Sequence, residues 1–256
     1  MPEVTSHPPG AFSWVELGTT DQSAAKEFYG KLFGWTFADT PMGPGEVYTT
    51  FKLKGRDVGA AYQLDPKRMP GVPPHWMIYI ATADADATAK RSAELGGAVM
   101  QPGFDVFDLG RMAVLKDPTG ATYSVWQAKK HLGLGLVNEP GAFCWGQLDT
   151  NDTVKAEAFY KALFGWDAKT GTDGGMTYTE WRLAGVPIGG MMALPPGAGG
   201  PPHWLAYFAV EDCDASAAKA ASLGATTYVP PTSIPGTGRF AVFGDPQGAA
   251  FAIYRA

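Results

Sequence analysis

Two short runs carry the side chains best suited to chemistry. Phe12-Ser13-Trp14-Val15-Glu16-Leu17 alternates large rings with one carboxylate, and His75-Trp76-Met77-Ile78-Tyr79 opens an alternating run with an imidazole. Side chains two apart on a strand share a face. Phe12, Trp14 and Glu16 are therefore predicted to stand together, as are His75, Met77 and Tyr79, and in a later run Thr122, Ser124 and Trp126. A carboxylate among aromatic rings loses hydration, which moves its pKa toward the range of a general base. Glu16 is thus the candidate catalytic residue. Two other readings of it stay open: an ion pair with an arginine such as Arg111, and one half of a two-ligand divalent metal site completed by His75. The direction of Arg111 and of Arg239 is not legible, because Met112 to Leu115 is apolar on both parities. The chain has no GxSxG nucleophile elbow, P-loop, dinucleotide GxGxxG or CxxC pair.

The elements that must position these residues are written twice. Gly10 to Trp35 returns as Gly141 to Trp166 with 14 of 26 positions identical. Pro74-His75-Trp76, Leu95-Gly96, Gly110-Arg111 and Asp117-Pro118 recur in order as Pro202-His203-Trp204, Leu223-Gly224, Gly238-Arg239 and Asp245-Pro246. Two copies of this length imply two homologous domains: residues 1–130 and 138–256, joined by a linker over 129–139. The second copy offers Phe143, Trp145 and Gln147, then His203, Leu205 and Tyr207, then Ala250, Ala252 and Tyr254. These sets describe aromatic cup linings with a few polar handles, as a small-molecule pocket needs. The same residues would also suit a solid core.

Within each copy the pattern reads strand, helix and three strands, twice over. Residues 11–18 alternate as a strand; Asp21 caps a helix over Gln22–Phe33, whose apolar stripe is Ala25, Phe28, Tyr29, Leu32 and Phe33, and Gly34 stops it. Short strands follow near 36–38, 47–53 and 58–64, then 75–81, a helix over 86–95, and strands near 98–100, 112–115 and 122–126. The prediction is an α+β chain with four βαβββ units forming curved mixed sheets around cup-shaped pockets.

Composition narrows the partners. A chain of 256 residues with 45% hydrophobic and 18% charged residues can bury a core. A net charge of −5 speaks against a general nucleic-acid surface. Two cysteines, Cys144 and Cys213, sit in the second copy alone, so a reducing cytoplasm is the expected location. No apolar run approaches a membrane span, and the first residues lack a signal-peptide pattern.

With Asp21…Phe28-Tyr29…Leu32-Phe33-Gly34, the His75–Gly96 unit and Asp117-Pro118-Thr119-Gly120 in place, all repeated, the chain resembles the vicinal oxygen chelate superfamily. That superfamily includes glyoxalase I, bleomycin-resistance proteins and extradiol dioxygenases. The chain is most similar to its two-domain, glyoxalase-like actinobacterial type, some labelled hydroxylases and some associated with polyketide pathways. The resemblance implies a metal ligand at Trp14, Met77 and Ser124 in the first copy and at Trp145, Leu205 and Ala252 in the second. None is a strong donor, so no cofactor is expected, a divalent metal displaced to Glu16 and His75 being the alternative. The expectation is a metal-free protein that binds a flat hydrophobic or aromatic metabolite, for sequestration, resistance or delivery to a partner enzyme. The alternative is an enzyme of the same superfamily, an isomerase, lyase or oxygenase working through Glu16. Four units in one chain should let a monomer act as an internal pseudo-dimer.

Overall fold

The computed structural model describes residues 4–173, 176–194, 197 and 200–256. The first repeat contains β1 (Phe12–Thr19), α1 (Gln22–Phe33), β2 (Thr36–Gly43), β3 (Glu46–Leu53), β4 (Arg56–Gln63), β5 (His75–Ala81), α2 (Ala85–Glu94), β6 (Ala98–Val106), β7 (Gly110–Lys116) and β8 (Thr122–Ala128). The second contains β9 (Phe143–Thr150), α3 (Thr153–Phe164), β10 (Asp167–Asp173), β11 (Met176–Leu183), β12 (Val186–Ala193), β13 (His203–Ala209), α4 (Cys213–Ser222), β14 (Thr226–Ile234), β15 (Gly238–Gly244) and β16 (Ala250–Arg255). Each repeat makes one eight-stranded sheet, ordered β2-β3-β4-β1-β5-β8-β7-β6 and β10-β11-β12-β9-β13-β16-β15-β14. β1 runs parallel to β4 and antiparallel to β5, and β5 runs parallel to β8, so both βαβββ units meet at the β1–β5 seam. The sheets are mixed and curl into half-barrels, the α+β architecture expected.

Local chemistry fixes the helix ends. Asp21, Asp84, Asp152 and Asp212 each accept a hydrogen bond from the backbone N–H three residues on, which satisfies a free donor of the first turn. Gly34 closes α1 at φ 74, where a side chain would be strained. β2 and β6 run further than the patterns at 36–38 and 98–100 suggest. They are edge strands whose residues are nearly all exposed, so no apolar alternation marks their full length.

The core lies between the two sheets, on the faces opposite the cups. Val15, Leu17, Ile78 and Ile80 are fully buried there, and α1 carries Phe33 onto Phe208 and Tyr29 onto Phe251 of the other repeat. Polar locks cross the boundary reciprocally. The Tyr29 hydroxyl donates to Asp245 Oδ2 at 2.9 Å while accepting from the Trp76 indole N–H at 2.9 Å. Tyr160 does the same with Asp117 at 2.9 Å and Trp204 at 3.0 Å. The Trp35 and Trp166 indoles donate to the Gly141 and Gly10 carbonyls at 2.7 and 2.8 Å. The repeated landmarks thus join each repeat to the other, as subunits join in a two-fold dimer. Because each repeat already buries this face, light scattering should give the mass of one chain at micromolar concentration; an obligate dimer would contradict internal pairing.

Candidate functional site

Glu16 stands on the concave face of the first sheet, opposite Met77 and diagonal to Tyr79. The Tyr79 hydroxyl donates to Glu16 Oε2 at 2.6 Å, and Tyr48 of β3 bonds to the same carboxylate. Tyr48 in turn accepts the Trp14 indole N–H at 3.2 Å. The carboxylate is deep in the cup yet keeps some solvent contact. Burial pushes its pKa up, and the two tyrosines pull it part of the way back. The alternative partner is absent from this arrangement: Arg111 turns to Asp86, at 2.7 and 3.0 Å, and to the Gly103 carbonyl. Arg239 turns likewise to Asp214.

The second cup repeats the network with an amide. Gln147 Oε1 accepts from Tyr207 at 3.0 Å and from Tyr178 at 3.3 Å, and Tyr178 accepts the Trp145 indole N–H at 2.8 Å. Gln147 Nε2 donates to Asp149 Oδ1 at 2.9 Å. Asp149 occupies the place that Gly18 holds in β1, and its Oδ2 lies 3.6 Å from His203 Nε2. Nδ1–H of His203 donates to the Pro201 carbonyl, which can only accept. Nε2 therefore faces the carboxylate. Burial raises the Asp149 pKa, and the nearby imidazole opposes that rise.

The predicted lining residues divide accordingly. Trp14, Glu16, Met77 and Tyr79 come together in the first cup, with Ser124 and Trp126 on the neighbouring β8. Trp145, Gln147, Leu205, Tyr207 and Tyr254 do so in the second, where Leu205, Tyr207 and Ala252 form a small cluster apart from the main core. His75 and His203 stand at the mouths, where each ring is tied by Nδ1 to a proline carbonyl two residues back. Phe12 and Phe143 depart from the expectation. The strand register shifts after each, pairing Phe12 with Ile80 and Phe143 with Phe208, so a bulge turns both rings to the core face. There they pack on each other with centroids 5.9 Å apart, and Phe12 lies where a side chain on Gly146 or Gly189 would collide with it.

Four residues escaped the reading of the sequence. Tyr48 and Tyr178 hold the carboxyl and amide groups from β3 and β11. Asp149 was accessible by parity, two residues beyond Gln147. His131, in the linker, packs edge-on against Trp14 with centroids 4.5 Å apart and gives no sequence signal of doing so.

The positions implied for metal ligands do not fit a divalent ion. An indole N–H such as that of Trp14 or Trp145 carries no free lone pair, and both are already donating to tyrosines. The Ser124 hydroxyl is buried without a partner but stands as a single neutral oxygen on β8, in register with Tyr79; Met77 offers only a thioether, and Leu205 and Ala252 offer nothing. Glu16 and His75 are held by different partners. Among the described residues no three His, Cys, Asp or Glu side chains converge.

Because Gln147 both accepts from tyrosines and donates to Asp149, Gln147→Glu should cost about 1–3 kcal/mol of stability at neutral pH, by losing the donor and placing two carboxyls side by side. Denaturant unfolding measures it; an unchanged midpoint would remove the second network from the account.

The sequence matches the profile of the Glyoxalase/Bleomycin resistance protein/Dioxygenase superfamily over residues 11–125 and 131–253. It is 44% identical over 257 residues to a putative glyoxylase of Mycobacterium tuberculosis, spanning 100% of this chain and 98% of that protein. It is 39% identical over 263 residues to an anthracycline biosynthesis protein of Streptomyces peucetius, spanning 98% of this chain and 94% of that protein. Among solved structures, the Mn(II)-bound glyoxalase of Novosphingobium aromaticivorans superposes with a TM-score of 0.68 at 16% identity, covering 96% of this chain and 82% of the other. No helix among the described residues is long and apolar enough to cross a membrane.

Proposed function

The chain belongs to the Glyoxalase/Bleomycin resistance protein/Dioxygenase superfamily, and from that premise we propose that it binds a flat hydrophobic or aromatic metabolite without a metal. The observation that carries this reading is the Trp14–Tyr48–Glu16–Tyr79 network, which puts an indole N–H where a metal cage would need a lone pair and engages the Glu16 carboxylate with two phenols. Aromatic walls supply apolar contact, and Glu16 accepts an O–H or N–H from the ligand's edge. The anthracycline biosynthesis relative supports a polycyclic phenol or quinone as the ligand class and secondary metabolism as the setting. The bound molecule would be sequestered or handed to a partner enzyme, in the cytoplasm. The phenolic anthracene-dione 2-hydroxyanthraquinone is a suitable probe, since it lacks neighbouring oxygens with which to recruit a metal.

A second reading rests on one observation: burial raises the Glu16 pKa while two tyrosines fix its orientation. Such a carboxylate can take a proton from an acidic O–H or C–H, the first step of an isomerase or lyase. Turnover of a bound phenol or quinone, lost in Glu16→Gln, would favour the enzyme; tight binding without turnover favours the binder.

A further inference from the structure

The linker treats the two cups differently. After β8 the chain folds back over the Trp126 end of the first cup and seats a ring there. The His131 ring stands edge-on to Trp14 at 4.5 Å and to Trp126 at 5.9 Å, and the Trp126 indole N–H donates to the His131 carbonyl at 2.9 Å. Leu134 N–H then donates to the Ser13 carbonyl and Gly135 N–H to the Asp57 carbonyl, both at 2.8 Å. His7 Nε2 holds the Leu134 carbonyl at 3.0 Å.

By the repeat, Ser13, Trp14, Asp57 and Trp126 correspond to Cys144, Trp145, Pro187 and Tyr254. No described segment plays the linker's part there. A half-open cavity of about 530 Å³ stands at that place, lined by these four residues together with Asn138, Val210, Glu211 and Arg255. That volume is in the range of small-molecule sites. The Trp145 indole N–H is committed to Tyr178 and the Tyr254 hydroxyl to the Thr237 carbonyl, at 2.8 Å each, which leaves ring surfaces to the cavity. The Cys144 thiol, pushed up to about 12 by burial, stays protonated and leaves that wall uncharged.

We propose that this cavity is a second small-molecule site, which takes a planar aromatic ring seated between Trp145 and Tyr254 as the His131 ring is seated between Trp14 and Trp126. The inference rests on reading the chain as a small-molecule binder but needs neither Glu16 nor the first cup. T-shaped contacts of this kind contribute beyond the area they bury, and the first repeat shows that the seat accepts an edge-on ring.

The test is titration calorimetry with indole, a planar ring with one N–H. Cys144→Phe, which fills the cavity, should remove one equivalent of bound indole or weaken it at least tenfold. Tyr254→Ala, which only removes a wall, should weaken it in the same direction and serves if Cys144→Phe does not fold. That same equivalent should persist in Glu16→Gln. His131→Gly, which empties the counterpart seat, should add an equivalent. An indole stoichiometry and affinity left unchanged by both Cys144→Phe and Tyr254→Ala, an absence of binding to the native chain, or no gain in His131→Gly would overturn the proposal. Loss in Glu16→Gln alone would place the ligand in the first cup, so the proposed function would stand while this site fell.

Discussion

Asp245→Ala should lower the unfolding free energy by about 3–5 kcal/mol, among the largest effects of any single change in the chain. Asp245 is buried and accepts from three directions: the Tyr29 hydroxyl across the repeat boundary and the backbone N–H groups of Gln247 and Ala249, all at 2.9 Å. Removing it strands buried donors, each worth about 1–3 kcal/mol if nothing replaces the lost bond. Local relaxation and water recover part of that. Asp117→Ala should behave alike, since Asp117 accepts from Tyr160 and from the N–H groups of its own turn. Asp245→Asn, which keeps an oxygen for the turn, should cost less than Ala. Chemical denaturation gives the value, and a loss under about 1 kcal/mol for Asp245→Ala would mean that the reciprocal locks position the repeats without stabilising them.

The second large effect is on the ligand. Glu16→Gln should weaken 2-hydroxyanthraquinone binding about 10- to 100-fold, the equivalent of one charge-assisted hydrogen bond of about 1.5–3 kcal/mol. The fold should tolerate the change, because Gln147 already occupies the same network in the second repeat and accepts from the same two tyrosine positions. It should even gain. Burial raises the Glu16 pKa above its ordinary value of 4.5, so the folded state holds the proton more tightly than the unfolded one. Stability is then greatest at low pH and falls as pH rises through the raised pKa. Glu16→Gln removes that loss. The variant should therefore be more stable than the native chain near neutrality, with the difference closing as pH falls toward 4.5. Glu16→Gln that loses stability at neutral pH and binds the probe normally would make Glu16 a structural residue.

How far the sequence foretells this depends on the range over which each feature is encoded. The helices were legible because capping and the apolar stripe are local: Asp21 and Gly34 stand at the ends of α1 where their chemistry requires. The repeat was legible because Tyr29, Trp76 and Asp117 recur, though what they do was not. Their bonds cross 43 to 216 positions of chain, and nothing local announces such a partner. The cup linings were legible by parity as far as the strands stay regular. The bulges between Phe12 and Trp14, and between Phe143 and Trp145, break parity without changing the hydrophobic pattern, and so Phe12 and Phe143 were placed on the wrong face. His131 lies in a segment without periodicity, and its docking on Trp14 is a tertiary event. Asp149 is the instructive miss. It shares parity with Gln147 and pairs with His203 in register, but its counterpart is Gly18, and comparing the copies directed attention to what they hold in common.

The measurement that bears most directly on metal-free binding is a pair of titrations of 2-hydroxyanthraquinone. One uses protein stripped with EDTA and dialysed, the other the same protein with one equivalent of Mn²⁺ restored. The two affinities should agree within about twofold, because Trp14, Met77 and Ser124 offer no cage and the proposed contact of Glu16 with the ligand runs through its own oxygen. Binding that appears only with the metal, and vanishes in a Glu16→Ala, His75→Ala double variant, would contradict metal-free binding and establish a displaced metal site in the first cup.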